Sequence, residues 1–261
     1  MDDSAPSGSK SGHRKDGQLA AWGSNLTYNI VQDLGIAIVT GRYSGPGGFP
    51  VESELAKHYG ASRSILREAV KMLTAKGLLG ARPRQGTWVE PEDRWNLLDP
   101  DVLRWLLERK FSLRLLTEFI EMRLAVEPGA AALAARIATP AQKAKIVHAI
   151  DRMIAASRNE DDPLTSDIAF HVAVLEASGN RFYMQLRELI ETALRFSIRR
   201  TNDYKGVRLA SVMDHKRICD AILAGDADAA GALMRVLIQE ALDLVQGAER
   251  ATLAPEQVSS T

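Results

Sequence analysis

The chain has 261 residues, 46% of them hydrophobic and 25% charged, with 33 basic residues balanced by 33 acidic ones. This is the composition of a globular protein long enough for two domains. No apolar run approaches the roughly 18–20 residues a membrane helix needs and no hydrophobic signal core opens the chain, which argues against a membrane or secreted protein.

The single cysteine, Cys219, excludes an internal disulfide and suits a reducing, cytoplasmic compartment. Its apolar neighbours recur at helical spacing, the pattern of a packing residue rather than a nucleophile. The balanced charge hides a small asymmetry: residues 1–90 carry 11 basic against 8 acidic side chains, a net +3, and the remainder is net −3. A positive N-terminal portion suits contact with phosphates.

Residues 1–22 are rich in Ser, Gly, Asp and Lys and are expected to form a disordered tail. Residues 23–92 read as one small domain. Leu26–Thr40 forms its first helix, with Ile30, Val31, Leu34, Ile36 and Ile38 as apolar positions. A glycine-rich loop, Gly41–Gly48, leads to Pro50 at the N1 position of the next helix. From Phe49 to Leu73 two short amphipathic helices flank one tight turn. Gly60 takes the C-cap of the first, where a positive φ costs little, and Ser62 caps the second.

The second helix buries Ile65, Leu66, Ala69, Val70, Met72 and Leu73 and turns Arg63 and Arg67 outward, four residues apart. A helix-turn-helix sets the N-terminal end of its second helix against base edges in the major groove, where arginine is the common reader of guanine. Ser62, Arg63, Ser64 and Arg67 are therefore the expected DNA contacts on this helix. Leu78–Val89 reads as a hairpin punctuated by Pro83 and Gly86. Arg82, Arg84, Gln85 and Gly86 lie at its tip, as in the basic wing of a winged helix.

Glu90–Arg94 is polar and proline-containing, and the domain boundary is placed there. The second domain, residues 93–250, shows no strand-like alternation. Helices are expected from Asn96 to Leu107, from Ser112 to Ala138 with an interruption near Pro128, and over Pro140–Ala156, Thr165–Ser178, Arg181–Thr201, Ser211–Ala224 and Asp226–Ala248. Residues 251–261 form a polar tail. The fold class is mainly α: a winged helix-turn-helix followed by an all-helical antiparallel bundle.

Asp167 and His171, spaced i and i+4, project from one face of one helix and can grip a single divalent cation, with His215 as a third ligand. The bland alternative is a helix-surface pair worth a few tenths of a kcal/mol. The ligands do not identify the metal: Zn²⁺ suits imidazole, and Mn²⁺ or Ni²⁺ would tolerate the same set. Arg123 lies within an apolar helix, so it either snorkels to the surface or pairs with an anion, be it a ligand or, as a structural ion pair, Glu127 or Glu191. Asn180 either reaches a ligand or forms a helix junction, and Ser211 is added as a ligand contact. His13, His58 and His148 lack partners at ligand spacing. Arg195, Arg199 and Arg200 read as a solvated face.

The residues from about 26 to 248 resemble the GntR family of bacterial regulators, in its FadR-like branch with an FCD-type effector domain. Pro50-Val-Glu-Ser-Glu-Leu-Ala, Ser62-Arg-Ser-Ile-Leu-Arg-Glu-Ala and Gln85-Gly-Thr-Trp-Val carry the resemblance in the first domain. Glu121-Met-Arg-Leu-Ala-Val-Glu-Pro128, Asp167-Ile-Ala-Phe-His171, Gly179-Asn180 and Asp214-His215 carry it in the second. The segment from Trp95 to Trp105 is similar to the galactonate-operon repressors of that branch. The resemblance implies a repressor that binds a palindromic double-stranded operator as a homodimer and responds to a small organic or sugar acid. It places Arg123 in the effector cavity and a divalent metal on Asp167, His171 and His215. Two positions depart from the pattern: Ser53 stands where many members have arginine, and Leu237 stands where a fourth, histidine ligand is expected. A metal-dependent enzyme fused to a DNA-binding domain, and an architectural DNA-binding dimer without ligand, are the alternative functions.

Overall fold

The computed structural model of the chain describes residues 12–45, 47–82, 84–109, 112–203 and 211–253, with side chains over 26–196 and 211–251 of these. Pro83, the side chains of His13, Arg199 and Arg200, and the tails at 1–11 and 254–261 lie outside the described residues. Eleven α-helices and one two-stranded antiparallel sheet are present among those described. The chain divides into two compact units, Met1–Arg109 and Lys110–Thr261.

The first unit holds α1 (Gly12–Val39), α2 (Glu52–Tyr59), α3 (Arg63–Ala75), β1 (Leu79–Arg82), β2 (Gly86–Val89) and α4 (Pro100–Arg109). Helix α1 starts before the expected Leu26 and takes in residues 12–22, expected to be a disordered tail. The strong helix formers of Gln18-Leu-Ala-Ala-Trp22 outweigh the polar composition around them. Pro50 lies outside α2, not at N1: Val51 is the extended N-cap, and the Glu54 carboxylate accepts from its backbone N–H.

The turn between α2 and α3 follows from its residues. Gly60 adopts φ 58°, and Ser62 Oγ accepts from the Ile65 backbone N–H at 3.4 Å. Leu34 of α1, Leu66 and Leu73 of α3 and Leu78 are all fully buried. Each such leucine stabilises the unit by about 1.5–3 kcal/mol over an exposed one. β1 and β2 pair from Leu79 opposite Val89 to Arg82 opposite Gly86. Arg84 at φ 67° and Gly86 at φ 83° make the hairpin turn.

Helix α4 belongs to this unit, so the boundary expected at residues 92/93 moves to 109/110. The cause is a set of contacts far apart in sequence. Trp105 is fully buried and donates its Nε1–H to Gln32 Oε1 at 2.8 Å. Arg104 donates to the same oxygen at 2.7 Å and to Asp101 at 2.6 Å. Lys76, at the end of α3, donates to Asp99 at 2.8 Å and to Asp101 at 2.9 Å.

The second unit is a bundle of α5 (Leu113–Ile137), α6 (Pro140–Ser157), α7 (Pro163–Ala177), α8 (Arg181–Gln185), α9 (Arg187–Asp203), α10 (Val212–Ala224) and α11 (Ala227–Leu253). Ser112, Thr139 and Asp162 cap α5, α6 and α7 through their side-chain oxygens, and Pro140 and Pro163 open the helices after two of those caps. The expected interruption at Pro128 is absent, because α5 runs through it unbroken. Helix α11 packs along α5, and a Cβ added at Gly231 would come 3.2 Å from the Pro128 carbonyl oxygen. Small residues, including buried Ala130, Ala131, Ala134 and Ala230, permit this close approach. The single helix expected over Arg181–Thr201 is two, broken at Leu186. Helix α7 packs against α5, α6 and α9, which puts its side chains at the centre of the bundle.

Candidate functional site

In the first unit the expected DNA contacts lie on one exposed helix end and one hairpin tip. Arg63 opens α3, and Ser62 and Ser64 share a hydrogen bond at 2.9 Å. Arg67 projects one turn later, with Nε 3.2 Å from Glu52 Oε1, while 63% of its side chain is exposed. A pair this exposed is worth about 0–1 kcal/mol, so it leaves the guanidinium available to another acceptor. Arg84 and Gln85 are exposed at the wing tip, and Arg82 lies 5.7 Å from the centre of the Trp88 ring. These are cationic and amide side chains on elements that can enter or flank a groove.

In the second unit α7 and α10 bring Asp167, His171 and His215 together, with their ligand atoms within 4.8 Å of one another. All three are buried, at 7%, 3% and 0% exposure. His215 Nδ1 lies 3.1 Å from the Ser211 backbone carbonyl. A carbonyl only accepts, so Nδ1 donates and Nε2 is left as a lone pair in the neutral ring. That Nε2 is 3.1 Å from Asp167 Oδ1 yet out of line for a hydrogen bond, so it is buried without a hydrogen-bond partner. His171 Nε2 lies 3.9 Å from Asp167 Oδ2, while its Nδ1 is 2.5 Å from Glu127 Oε2.

Glu127 is the functional residue that sequence reasoning missed as part of this cluster. It is 1% exposed and pairs with Arg123, whose Nε lies 2.5 Å from its Oε1. Burial alone would raise its pKa, but Arg123 and His171 hold the carboxyl down at about 2. Burial likewise opposes the charge on Asp167, and His215, His171 and Arg123 overcome it to lower the pKa.

The charges in this pocket do not cancel. Arg123 offsets Glu127, and Asp167 remains a buried carboxylate with His215 Nε2 3.1 Å and His171 Nε2 3.9 Å from its oxygens. A carboxylate so placed is costly unless a cation joins it. The donor set of one oxygen and two imidazole nitrogens, each imidazole oriented through its other nitrogen, fits a borderline divalent ion. Leu237 is buried and apolar, so it adds no fourth ligand.

Beside the cluster an open cavity of about 1000 Å³ is lined by Asp167, Ser166, Ser211, Asp214, Glu240 and Asp243, with apolar surface from Met153 and Leu244 among others. Two of the expected effector contacts are not among its lining residues. Arg123 is committed to Glu127, the structural ion pair left open by its sequence context. Asn180 caps α8, accepting from the Phe182 N–H at 2.9 Å, so it is the helix junction. Ser211 does line the cavity, at the start of α10. Arg195 pairs with Glu191 at 2.8 Å on the partly exposed side of α9. Cys219 is buried, and burial pushes its thiol up to about 11, which excludes a nucleophile at neutral pH.

Residues 26–89 match the family described as bacterial regulatory proteins, gntR family, and residues 118–240 match the FCD domain. The chain is 37% identical over 207 residues to the galactonate operon transcriptional repressor of Escherichia coli K12, covering 79% of this chain and 90% of that protein. It is 32% identical over 191 residues to the putative L-lactate dehydrogenase operon regulatory protein of the same organism, covering 69% and 71%. Among solved structures, that of Lar, described as controlling expression of the Listeria monocytogenes agr system, has a similar fold. Its TM-score is 0.54 at 18% identity, covering 85% of this chain and 96% of that one.

Proposed function

Since the chain belongs to the GntR family of bacterial regulators and carries an FCD domain, we propose that it is a repressor whose hold on DNA responds to a hydroxylated organic acid. That it is a DNA-binding transcriptional regulator rather than an enzyme follows from the family itself. The nature of the signal rests on the buried charge balance. Counted with both imidazoles neutral, as metal ligands must be, Arg123 and Glu127 cancel and Asp167 leaves a net charge of −1, which a divalent cation would convert to +1. A ligand carboxylate then restores neutrality.

Asp167, His171 and His215 are the residues that would hold the ion. When bound, it would supply a Lewis-acidic centre with positions open to a ligand oxygen. Glu127 and the Ser211 carbonyl orient the two imidazoles. Asp214, Glu240 and Asp243 on the cavity wall are acceptors for hydroxyl groups and would repel a second carboxylate. A polyhydroxylated monocarboxylate fits these walls better than a dicarboxylate. The names of two relatives, regulators of a galactonate and of an L-lactate dehydrogenase operon, agree with a hydroxylated monocarboxylate, the first of them with a polyhydroxylated one.

A single winged helix covers only a half-site, so a homodimer on a palindromic operator is the expected DNA-bound form. Titration calorimetry of galactonate, lactate and a dicarboxylate, with and without chelator, tests the reading. Tightest binding by galactonate, weakened by chelator, is the expected result. Equal affinity for all three acids would overturn it.

A further inference from the structure

Arg123 and Glu127 stand one turn apart on α5, and His171 meets them from α7. Glu127 Oε1 accepts from Arg123 Nε at 2.5 Å, while its Oε2 lies 2.5 Å from His171 Nδ1 and accepts only a longer bond, 3.3 Å, from Arg123 Nη2. An anionic oxygen approaches a ring nitrogen that closely only with a proton between them, so Nδ1 carries the hydrogen. Arg123 Nη2 lies 3.3 Å from both ring nitrogens. Being equidistant, it points along neither in-plane lone pair. A neutral imidazole has one N–H, and Nε2 is then a bare lone pair facing Asp167.

The direction of this chain is set at its far end. Arginine has five N–H donors and no acceptor, so the residue at 127 must turn an acceptor toward it. A carboxylate has an acceptor at each end and therefore offers another to His171. We propose that Arg123 and Glu127 are positioning residues that fix the tautomer of His171, keeping its Nε2 lone pair aimed into the Asp167–His215 cluster before any ligand arrives. This gives Arg123 a role distinct from clamping an effector, and it rests on the proposed metal reading only for its second readout.

Glu127→Gln is the discriminating change because it is nearly isosteric. Arg123 forces the new amide to turn its oxygen toward the guanidinium, which leaves its NH₂ facing His171. Nδ1 must then accept, and the ring proton moves to Nε2, where it blocks a metal. Removing the cause should reverse the effect. In the double variant Arg123→Met, Glu127→Gln the amide is free to rotate and accept from Nδ1 again.

The experiment uses the full chain in chelator. Long-range ¹H–¹⁵N spectra report the protonated nitrogen of each histidine, and the His171 signals are identified by their loss in His171→Gln. Zn²⁺ affinity, measured with the metal alone, is the second readout. The wild type should show Nδ1–H at His171, and Glu127→Gln should show Nε2–H with Zn²⁺ affinity about 10–100-fold weaker. The double variant should recover Nδ1–H and bind Zn²⁺ more tightly than the single one, whereas a merely structural role predicts further loss. An Nε2–H tautomer in the wild type overturns the proposal even if no variant folds. So does an unchanged tautomer in Glu127→Gln, or a double variant weaker than the single. A wild type that binds no Zn²⁺ defeats the metal reading, and the tautomer spectra still decide this one.

Discussion

Trp105 of α4 lies so close against Gly35 of α1 that a Cβ added at Gly35 would fall 2.4 Å from the indole Cζ3. The indole has no room to retreat, because it is fully buried and its Nε1–H is held by Gln32.

Gly35→Ala should therefore destabilise the first unit, although alanine favours a helix interior by roughly 0.5–1 kcal/mol. Overpacking of a closed contact costs about 1–3 kcal/mol, so the clash outweighs the propensity gain. Chemical denaturation followed by tryptophan fluorescence should show an earlier transition. A later one would mean that α4 does not close on α1 as described.

For DNA, if Arg67 reads a base edge from the start of α3, Arg67→Ala should cost about 1–3 kcal/mol of operator affinity and relax sequence preference. Arg84→Ala should weaken binding to all sequences alike and reduce the slope of log affinity against log salt by about one. Mobility-shift titrations at two salt concentrations separate the two effects. Unchanged operator affinity in Arg67→Ala would refute the recognition-helix assignment.

Metal and effector should strengthen each other by the same factor, since each neutralises charge left by the other. Calorimetry of a sugar acid at saturating and at chelated metal measures one side of that cycle, and metal titration with and without the acid measures the other. His171→Ala should abolish both gains while leaving operator binding in the absence of ligand intact. Effector affinity indifferent to chelation would remove the metal from the mechanism.

The Lys76 cluster gives the first unit a pH window. Burial opposes the charge on both partners, yet Asp99 and Asp101 raise the Lys76 pKa above 10.5, and Lys76 and Arg104 lower that of Asp101 below 3.8. A depressed acid contributes stability above its unfolded value and loses it as pH falls through the folded one. A raised base contributes below its unfolded value and loses it as pH rises. The cluster's contribution should thus be whole between about pH 4 and 10 and decline outside that range. Lys76→Met should flatten both limbs of the curve of unfolding midpoint against pH. Unaltered limbs would assign the pH dependence to other groups.

The winged helix was legible because its signals are local. Gly60 and Ser62 sit within three residues of each other, and the arginine spacing follows from one helical turn. Asp167 and His171 were legible for the same reason, being i and i+4 on one helix. The membership of α4 was not, because it depends on Gln32 and Gly35 meeting Trp105 across some seventy residues of chain. The part played by Glu127 needed the register of α5 against α7. One signal was nevertheless present: an Arg–Glu pair four residues apart inside an apolar helix must be buried together, and a buried pair needs its remaining oxygen satisfied.

The place of α4 also says where this protein can be cut. A graft that joined its reading head to a different sensor at Glu90 would leave Trp105 behind and expose the Gly35 face of α1 that it covers. The transferable cassette runs to Arg109, and recombination between relatives that respects that junction should yield working hybrids where a cut in the polar seam at Glu90–Arg94 does not.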